Sequence, residues 1–310
     1  MRGSFGRECF CAIPTLLGST YWGVRMKRLL MGLFCLLLAG AAVAGSANHA
    51  RQSMQASMLV TGAIVVAPDG SVRSYTIDHA EKLPAPVLEL IERGTKSWIF
   101  EPPLLDGQPV VAKASMSLRV VAQSAGKGDY AISLEGAQFG RDGSRPGESI
   151  KCIVCVDPRY PQSAIEAGVS GAVYLRVLVD RQGRVQNAIA EQVNMGILAS
   201  DRELDKWRKV LADAALAAIK AWTFKIPTSG KDASQDHWEV QIPVSFNLVR
   251  DGSSPPDQYG KRDVYVPGPK QPVPWPEKAE AFSTGTDAIA DGGLYQIGSG
   301  LHLTTPLNGA

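Results

Sequence analysis

Apolar and polar positions fall into two successive blocks, each running from a strand hairpin through a helix to a closing strand. In the first block an apolar run starts near Leu59, breaks at Pro68-Asp69-Gly70 and resumes from Val72 to about Ile77. Asp-Gly between two apolar runs predicts a β-hairpin. Val87, Leu88, Leu90, Ile91 and Trp98 then predict a helix over 86–98. Across 111–121, Ala114, Met116, Leu118 and Val120 alternate with Ser115, Ser117 and Arg119, which predicts a strand with one buried face and one wet face.

The second block is longer. Tyr160-Pro161 opens a short helix, with Pro at the first helical position and Gly168 past the end. Val173, Leu175, Val177 and Val179 place a strand over 171–180, which turns at Arg181-Gln182-Gly183 into a second strand over 185–193. Ser200 and Glu203 form a capping box. The helix that follows reaches about Trp222, with Leu204, Leu211, Ala215, Ala218 and Trp222 on one face. Val240, Ile242, Val244, Phe246 and Leu248 alternate strictly in a final strand over 238–249.

Both blocks pass from a strand through a Gly turn and a helix to W-x-F-x-x-P: Trp98, Phe100 and Pro103, then Trp222, Phe224 and Pro227. Two copies of one small unit explain the recurrence. The expected fold class is α+β, with each unit a three-stranded antiparallel sheet carrying helices on one face. The expected boundaries are 54–122 for the first unit, 123–154 for a Gly/Ser-rich linker and 155–250 for the second unit. Within the linker 129–134 could add a short strand, and 140–147 reads as loop. From Asp251 the composition shifts, with seven prolines between Pro255 and Pro276 and Gly-rich sequence to Ala310. Such a stretch is expected to be an extended or disordered tail. Leu294-Tyr295-Gln296-Ile297 within it could add itself to a sheet edge.

Lys27-Arg28, an apolar run from Leu29 to Leu38 and the small residues ending in Ala42-Val43-Ala44 follow the order of a secretory signal peptide. Met26 then marks the start and Gly45 the mature end. An uncleaved anchor is the alternative, although 29–44 is shorter than the roughly 20 residues of a spanning helix. Either way 1–44 is a signal peptide or anchor, and the body lies outside the cytoplasm. Cys152 and Cys155 remain after the leader, and in an oxidising compartment such a pair forms a disulfide. The formal net charge is +2, and no basic run interleaved with aromatics suggests nucleic acid.

The second block resembles the TonB C-terminal domain family over about 95 residues. The resemblance rests on Pro158, Tyr160, Pro161, Ala164, Gly168, Gly171, Val173, Leu175, Val179, Gly183, Val185, Ala214, Ala215, Trp222, Phe224 and Pro243-Val244-Ser245-Phe246. The first block resembles a degenerate copy, which keeps Asp69-Gly70 and the Trp98/Phe100/Pro103 set but lacks Tyr-Pro. The resemblance implies a part in TonB-dependent outer-membrane transport and narrows the location of the body to the periplasm. Such domains grip the TonB box of an outer-membrane receptor by strand addition at a sheet edge. Carried over, that edge is the 238–249 strand, with Glu239, Gln241, Pro243, Ser245 and Asn247 facing outward. Pro243 suits an edge because it cannot donate to a ladder. An anchored transducer working with ExbB and ExbD is the alternative. Against it stand a cleavable leader, an apolar stretch without histidine, and about ten residues between leader and fold, which reach at most roughly 35 Å. Strand exchange at an exposed edge makes a homodimer plausible.

Other chemistry is weakly signalled. Trp98/Phe100 and Trp222/Phe224 fit core packing better than a recognition surface. Cys152-Ile153-Val154-Cys155 could act as a dithiol oxidoreductase, but that chemistry favours a cysteine at a helix N-terminus. Asp201, Glu203 and Asp205 suit the first turn of a helix better than acid–base work. His237 and His302 have no ligand spacing. The expectation is a binding protein with no catalytic residue, metal or cofactor.

Overall fold

The computed structural model describes residues 54–105, 107–126, 129–141, 146–248, 259–276 and 285–308, all within one compact unit, Ala50–Ala310. The leader lies outside them. Among the described residues no helix is long and apolar enough to cross a membrane.

The first hairpin forms where the Asp-Gly signal puts it, as β1 (Gln55–Val66) and β2 (Val72–Ile77). Asp69 shapes the turn: its carboxylate accepts from the Ser71 amide at 3.0 Å and hydroxyl at 2.7 Å. These bonds hold its carboxyl below the usual range. Helix α1 (Ala85–Ser97) follows, with Pro84 as N-cap and a proline in its first turn. Its Val87, Leu90 and Ile91 enter the first core. A small ribbon of β3 (Leu104–Leu105) and β4 (Gln108–Pro109) leads into two long strands, β5 (Ala112–Gly126) and β6 (Asp129–Arg141).

Strand β7 (Lys151–Val154) and the short helix α2 (Gln162–Glu166) open the second half. Strands β8 (Gly171–Asp180) and β9 (Val185–Met195) form its hairpin. Helix α3 (Asp201–Ile219), β10 (Thr223–Lys225) and β11 (His237–Phe246) complete it. At the start of α3, Glu203 accepts from the Ser200 amide at 3.2 Å and hydroxyl at 2.9 Å. Asp205 pairs with Arg208 at 2.9 Å. Glu203 thus caps the helix start, and Asp205 makes a surface pair one turn on. Two further strands lie in the tail, β12 (Asp263–Tyr265) and β13 (Tyr295–Gln296).

The larger sheets are both antiparallel. The first runs β12-β1-β5-β6, with β2 also paired to β1; the second runs β13-β11-β8-β9. A mixed α+β architecture is therefore present. Its sheets have five and four strands rather than three, because β6, β12 and β13 join them. Strand β6 extends well past the expected 129–134 and pairs with β5 from Ala114 to Gly126. A bulge hides its apolar face from a period-two reading: the register skips Glu135, so Leu134 and Ala137 are both buried despite odd spacing.

Each half has its own core. The first gathers Ile64, Ile91, Trp98, Phe100, Met116 and Leu118, with Phe139 set edge-on to Phe100 at 4.8 Å. The second gathers Leu175, Val177, Leu204, Leu211, Phe224 and Trp238. The same local joint closes both hairpins. Gly70 has φ +86° and its carbonyl accepts from the Phe100 amide at 2.8 Å; Gly183 has φ +72° and accepts from Phe224 at 2.7 Å. A Cβ at either glycine would fall on the carbonyl oxygen of that same phenylalanine, so only Gly fits.

The tail departs most from its expected disorder. Residues 259–276 and 285–308 are packed onto both sheets. Tyr265, Val266, Ala288, Ile289, Ile297 and Leu303 are all buried. Leu303 bridges to Phe100, and Trp98 donates its indole N–H to the Leu307 carbonyl at 3.0 Å. Scattered apolar residues supply the burial that offsets the chain's entropy.

Candidate strand-binding edge

Strand β11 lies beyond β8, paired along its whole length from His237↔Asp180 to Phe246↔Gly171. The backbone groups of successive residues point to opposite sides of a strand. The Glu239 carbonyl accepts from the Ile297 amide at 2.8 Å on the side away from β8. By alternation Gln241, Pro243 and Ser245 also direct their backbone groups to that outer side. Pro243 therefore costs the β8–β11 ladder no hydrogen bond, which is why a proline is tolerated inside so regular a strand. The strand ends at Phe246, and Asn247 lies just beyond, exposed.

The outer side is partly taken. Strand β13 pairs there, Val240 opposite Gln296 and Gln241 opposite Tyr295. Pairing stops after two residues because the chain turns back at Gly292, φ +71°, with the Gly293 amide bonded to the Ala290 carbonyl at 3.2 Å. Among the described residues, the stretch of β11 from Ile242 to Phe246 has no strand partner on this side. A cleft of about 120 Å³ adjoins β13, lined by Phe139, Ile150, Leu294, Tyr295, Gln296 and Ser299 among others.

The side chains expected to face outward are not open to solvent. Glu239, Gln241 and Pro243 are buried and Ser245 is half-buried. Arg176 of β8 stands between two carboxylates, 3.2 Å from Glu191 and 3.5 Å from Glu239. Lys270 reaches Glu191 at 3.0 Å, Trp275 donates to Glu239 at 3.0 Å, and Gln241 donates to the Thr286 carbonyl at 3.1 Å. Lys270, Trp275 and Thr286 all belong to the tail, which covers the face that alternation marks as wet. The corresponding face of the first sheet is covered too. Arg119 donates through Nε to the Asp287 carbonyl at 2.8 Å and through Nη1 to Ser57 at 3.0 Å. Asp287 also accepts from Tyr265 at 2.7 Å and Asn194 at 3.3 Å. Residues 285–291 thus bind the second faces of both sheets. Burial there pushes the Tyr174 and Tyr265 phenols well above their ordinary range.

Sequence reasoning missed Arg176 and Glu191. Glu191 sits at a bulge: the register passes from Tyr174↔Gln192 to Leu175↔Ala190 and turns this side chain into the cluster. One signal was available. Tyr174 and Leu178 flank Arg176 on the supposedly wet face, which no solvated strand requires.

The motif residues take mainly structural positions. Tyr160 donates to the Val169 carbonyl at 2.6 Å and packs edge-on to Phe246 at 5.3 Å, which ties α2 to the end of β11. Pro161 is the N-cap of α2. Gly171 opens β8 where a Cβ would press on the Asn194 carbonyl at 2.6 Å. Phe224, Trp98 and Phe100 are core residues, while Trp222 is half-buried and donates to the Val156 carbonyl at 2.9 Å. Cys152 and Cys155 are joined in a disulfide with a Cα separation of 6.1 Å. They lie on and just after β7, which pairs with β10, and the next helix begins seven residues on at Gln162. Among the described residues no His, Cys, Asp or Glu group could hold a metal ion.

Comparison with known proteins supports the family resemblance over one unit's length. The chain is 36% identical over 92 residues to Protein TonB of two Xanthomonas campestris pv. campestris strains, B100 and ATCC 33913. That stretch covers 29% of this chain and 34% of each relative. It is 34% identical over 91 residues to Protein tonB2 of Pseudomonas aeruginosa, covering 29% of this chain and 28% of the relative. The chain therefore carries a TonB-like domain and spans about a third of the length of the relatives it matches. No protein-family profile matches the chain, and no solved structure matches it.

Proposed function

We propose that this protein is a periplasmic, TonB-like binding module of TonB-dependent transport. It takes an extended segment of an envelope partner, the TonB box of an outer-membrane receptor, as a further strand along β11. The observation that carries the reading is the outer side of β11. From Ile242 to Phe246 it runs in an ordered antiparallel ladder with β8 and has no strand on the other side among the described residues. Added strands gain affinity from such backbone groups and selectivity from alternate side chains. The identity to TonB proteins over one unit supports the partner class. We further read 54–122 as a degenerate copy of the unit at 155–250, on the strength of the shared glycine–phenylalanine joint. In that copy the strand corresponding to β11 is β5, and its outer side is filled by β6.

The test is binding of a synthetic TonB-box peptide to the full chain. Ser245→Pro deletes one outward N–H of β11 and leaves the β8 ladder complete. It should weaken peptide binding about fivefold to tenfold, the worth of one hydrogen bond of about 1 kcal/mol. Unchanged affinity would reject strand addition at this place. The location has its own test. N-terminal sequencing of fractionated cells should find Gly45 as the mature end in the periplasm, without ExbB or ExbD co-purifying. An intact leader in the inner membrane would instead favour an anchored transducer.

A further inference from the structure

We infer that β13 is a built-in occupant of the partner-binding edge, which a partner strand must displace in order to pair along the whole of β11. The inference rests on the strand-addition reading above. Three observations lead to it. First, β13 uses the same outward backbone groups that an incoming strand would need: Glu239 accepts from Ile297, and Gln241 lies opposite Tyr295. Second, its hold is short. Two residue pairs join β13 to β11, whereas β6 is paired to β5 from Ala114 to Gly126. The first sheet's edge is thus closed by a long ladder and the second by a brief one. Third, β13 lies between a turn at Gly292 and the positive-φ residues Gly298 and Gly300, with the open cleft beside it and Tyr295 and Gln296 only half-buried. Gly292 on one side and Gly298 on the other let the segment swing out, while Gly300 stays against the Phe139 carbonyl and the residues that anchor the tail do not move. On one flank these are Ala288 and Ile289, on the other Leu303 and Asn308.

The occupant also indicates what a partner strand should carry. Ile297, opposite Glu239, is buried, and Leu294, next to Tyr295, packs against the second core. Gln296 donates to Asp232 at 3.0 Å. A displacing segment should therefore be extended, with large apolar residues at the two ends of a four-residue stretch and an amide or hydroxyl donor between them.

A reversible lock tests this on the full chain. Val240 and Gln296 stand directly opposite as a non-hydrogen-bonded pair. Cα atoms in such pairs lie about 4.5 Å apart, within the range a disulfide spans. Val240→Cys with Gln296→Cys should bind the TonB-box peptide more than tenfold more weakly when oxidised than when reduced. The unsubstituted protein, which has its own Cys152–Cys155 disulfide, should show no such difference. In a second variant, Tyr295→Pro removes an N–H facing β11 and should bind about tenfold more tightly than the unsubstituted protein, a factor equal to about 1.4 kcal/mol. If the peptide binds all these forms with one affinity, β13 is not a competitor and the inference fails while peptide binding stands. If neither the reduced double variant nor Tyr295→Pro binds the peptide, the strand-addition reading fails and takes the inference with it.

Discussion

Replacing Arg176 by alanine should cost about 3–5 kcal/mol of folding stability, the range expected when one partner of a buried ion cluster is removed. The guanidinium lies between Glu191 and Glu239, whose side chains are 1% and 2% exposed. Without it Glu191 keeps Lys270 at 3.0 Å, while Glu239 keeps the Trp275 indole N–H. The loss comes chiefly from leaving Glu239 as a buried carboxylate without its cation. Adding Glu239→Gln to Arg176→Ala should therefore recover about 1–2 kcal/mol. Urea denaturation of the single and double variants measures both numbers. Equal stabilities of Arg176→Ala and the unsubstituted protein would show that the cluster contributes nothing to the fold. Lys270 and Trp275 join the tail to this cluster, so the same substitution should also loosen the tail.

Gly183→Ala should cost about 3 kcal/mol. A left-handed backbone costs a residue with a Cβ about 1–2 kcal/mol. Here the new methyl also falls on the Phe224 carbonyl oxygen, which is backbone and cannot swing aside. The Phe224–Gly183 hydrogen bond at 2.7 Å must then open, at about 1 kcal/mol more. Gly168 separates the two causes. Its φ is +67° and a Cβ there would meet nothing within 4 Å, so Gly168→Ala should lose only about 1 kcal/mol. Gly70→Ala should match Gly183→Ala, because it makes the same contact with Phe100. Equal losses at Gly168 and Gly183 would mean that the close approach has no weight.

The elements that local rules govern were legible in the sequence. Asp69-Gly70 set the first hairpin, Ser200 and Glu203 the start of α3, and Val240, Ile242 and Val244 the alternation of β11. What stayed hidden depends on partners distant in the chain. Alternation along β8 and β5 marks one face as polar, yet Arg176 and Arg119 are buried on those faces: Glu191 and Glu239 of the neighbouring strands hold Arg176 under a cover of Lys270 and Trp275, and Ser57 and Asp287 hold Arg119. The tail itself has no period to read. Val266 joins the second core and Leu303 the first, with no helical or strand spacing to mark them, and a proline-rich composition looks the same whether or not it is packed. Bulges at Glu135 and Glu191 shift parity within β6 and β9, so a strict period-two reading loses the strand in one case and a buried carboxylate in the other. The outward backbone of β11 was legible through Pro243. The strand already lying beside it was visible only as an option at Leu294-Tyr295-Gln296-Ile297.

Backbone amide exchange of the full chain, with and without a TonB-box peptide, distinguishes strand addition at β11 from binding elsewhere, since exchange reports the opening of individual hydrogen-bonded segments. The peptide should protect the outward amides of Ser245 and Asn247, and the amides of Tyr295 and Ile297 that face β11 should lose their protection in the same titration. Peptide binding that leaves both segments unchanged would contradict strand addition, and the partner would then be held somewhere other than the β11 edge.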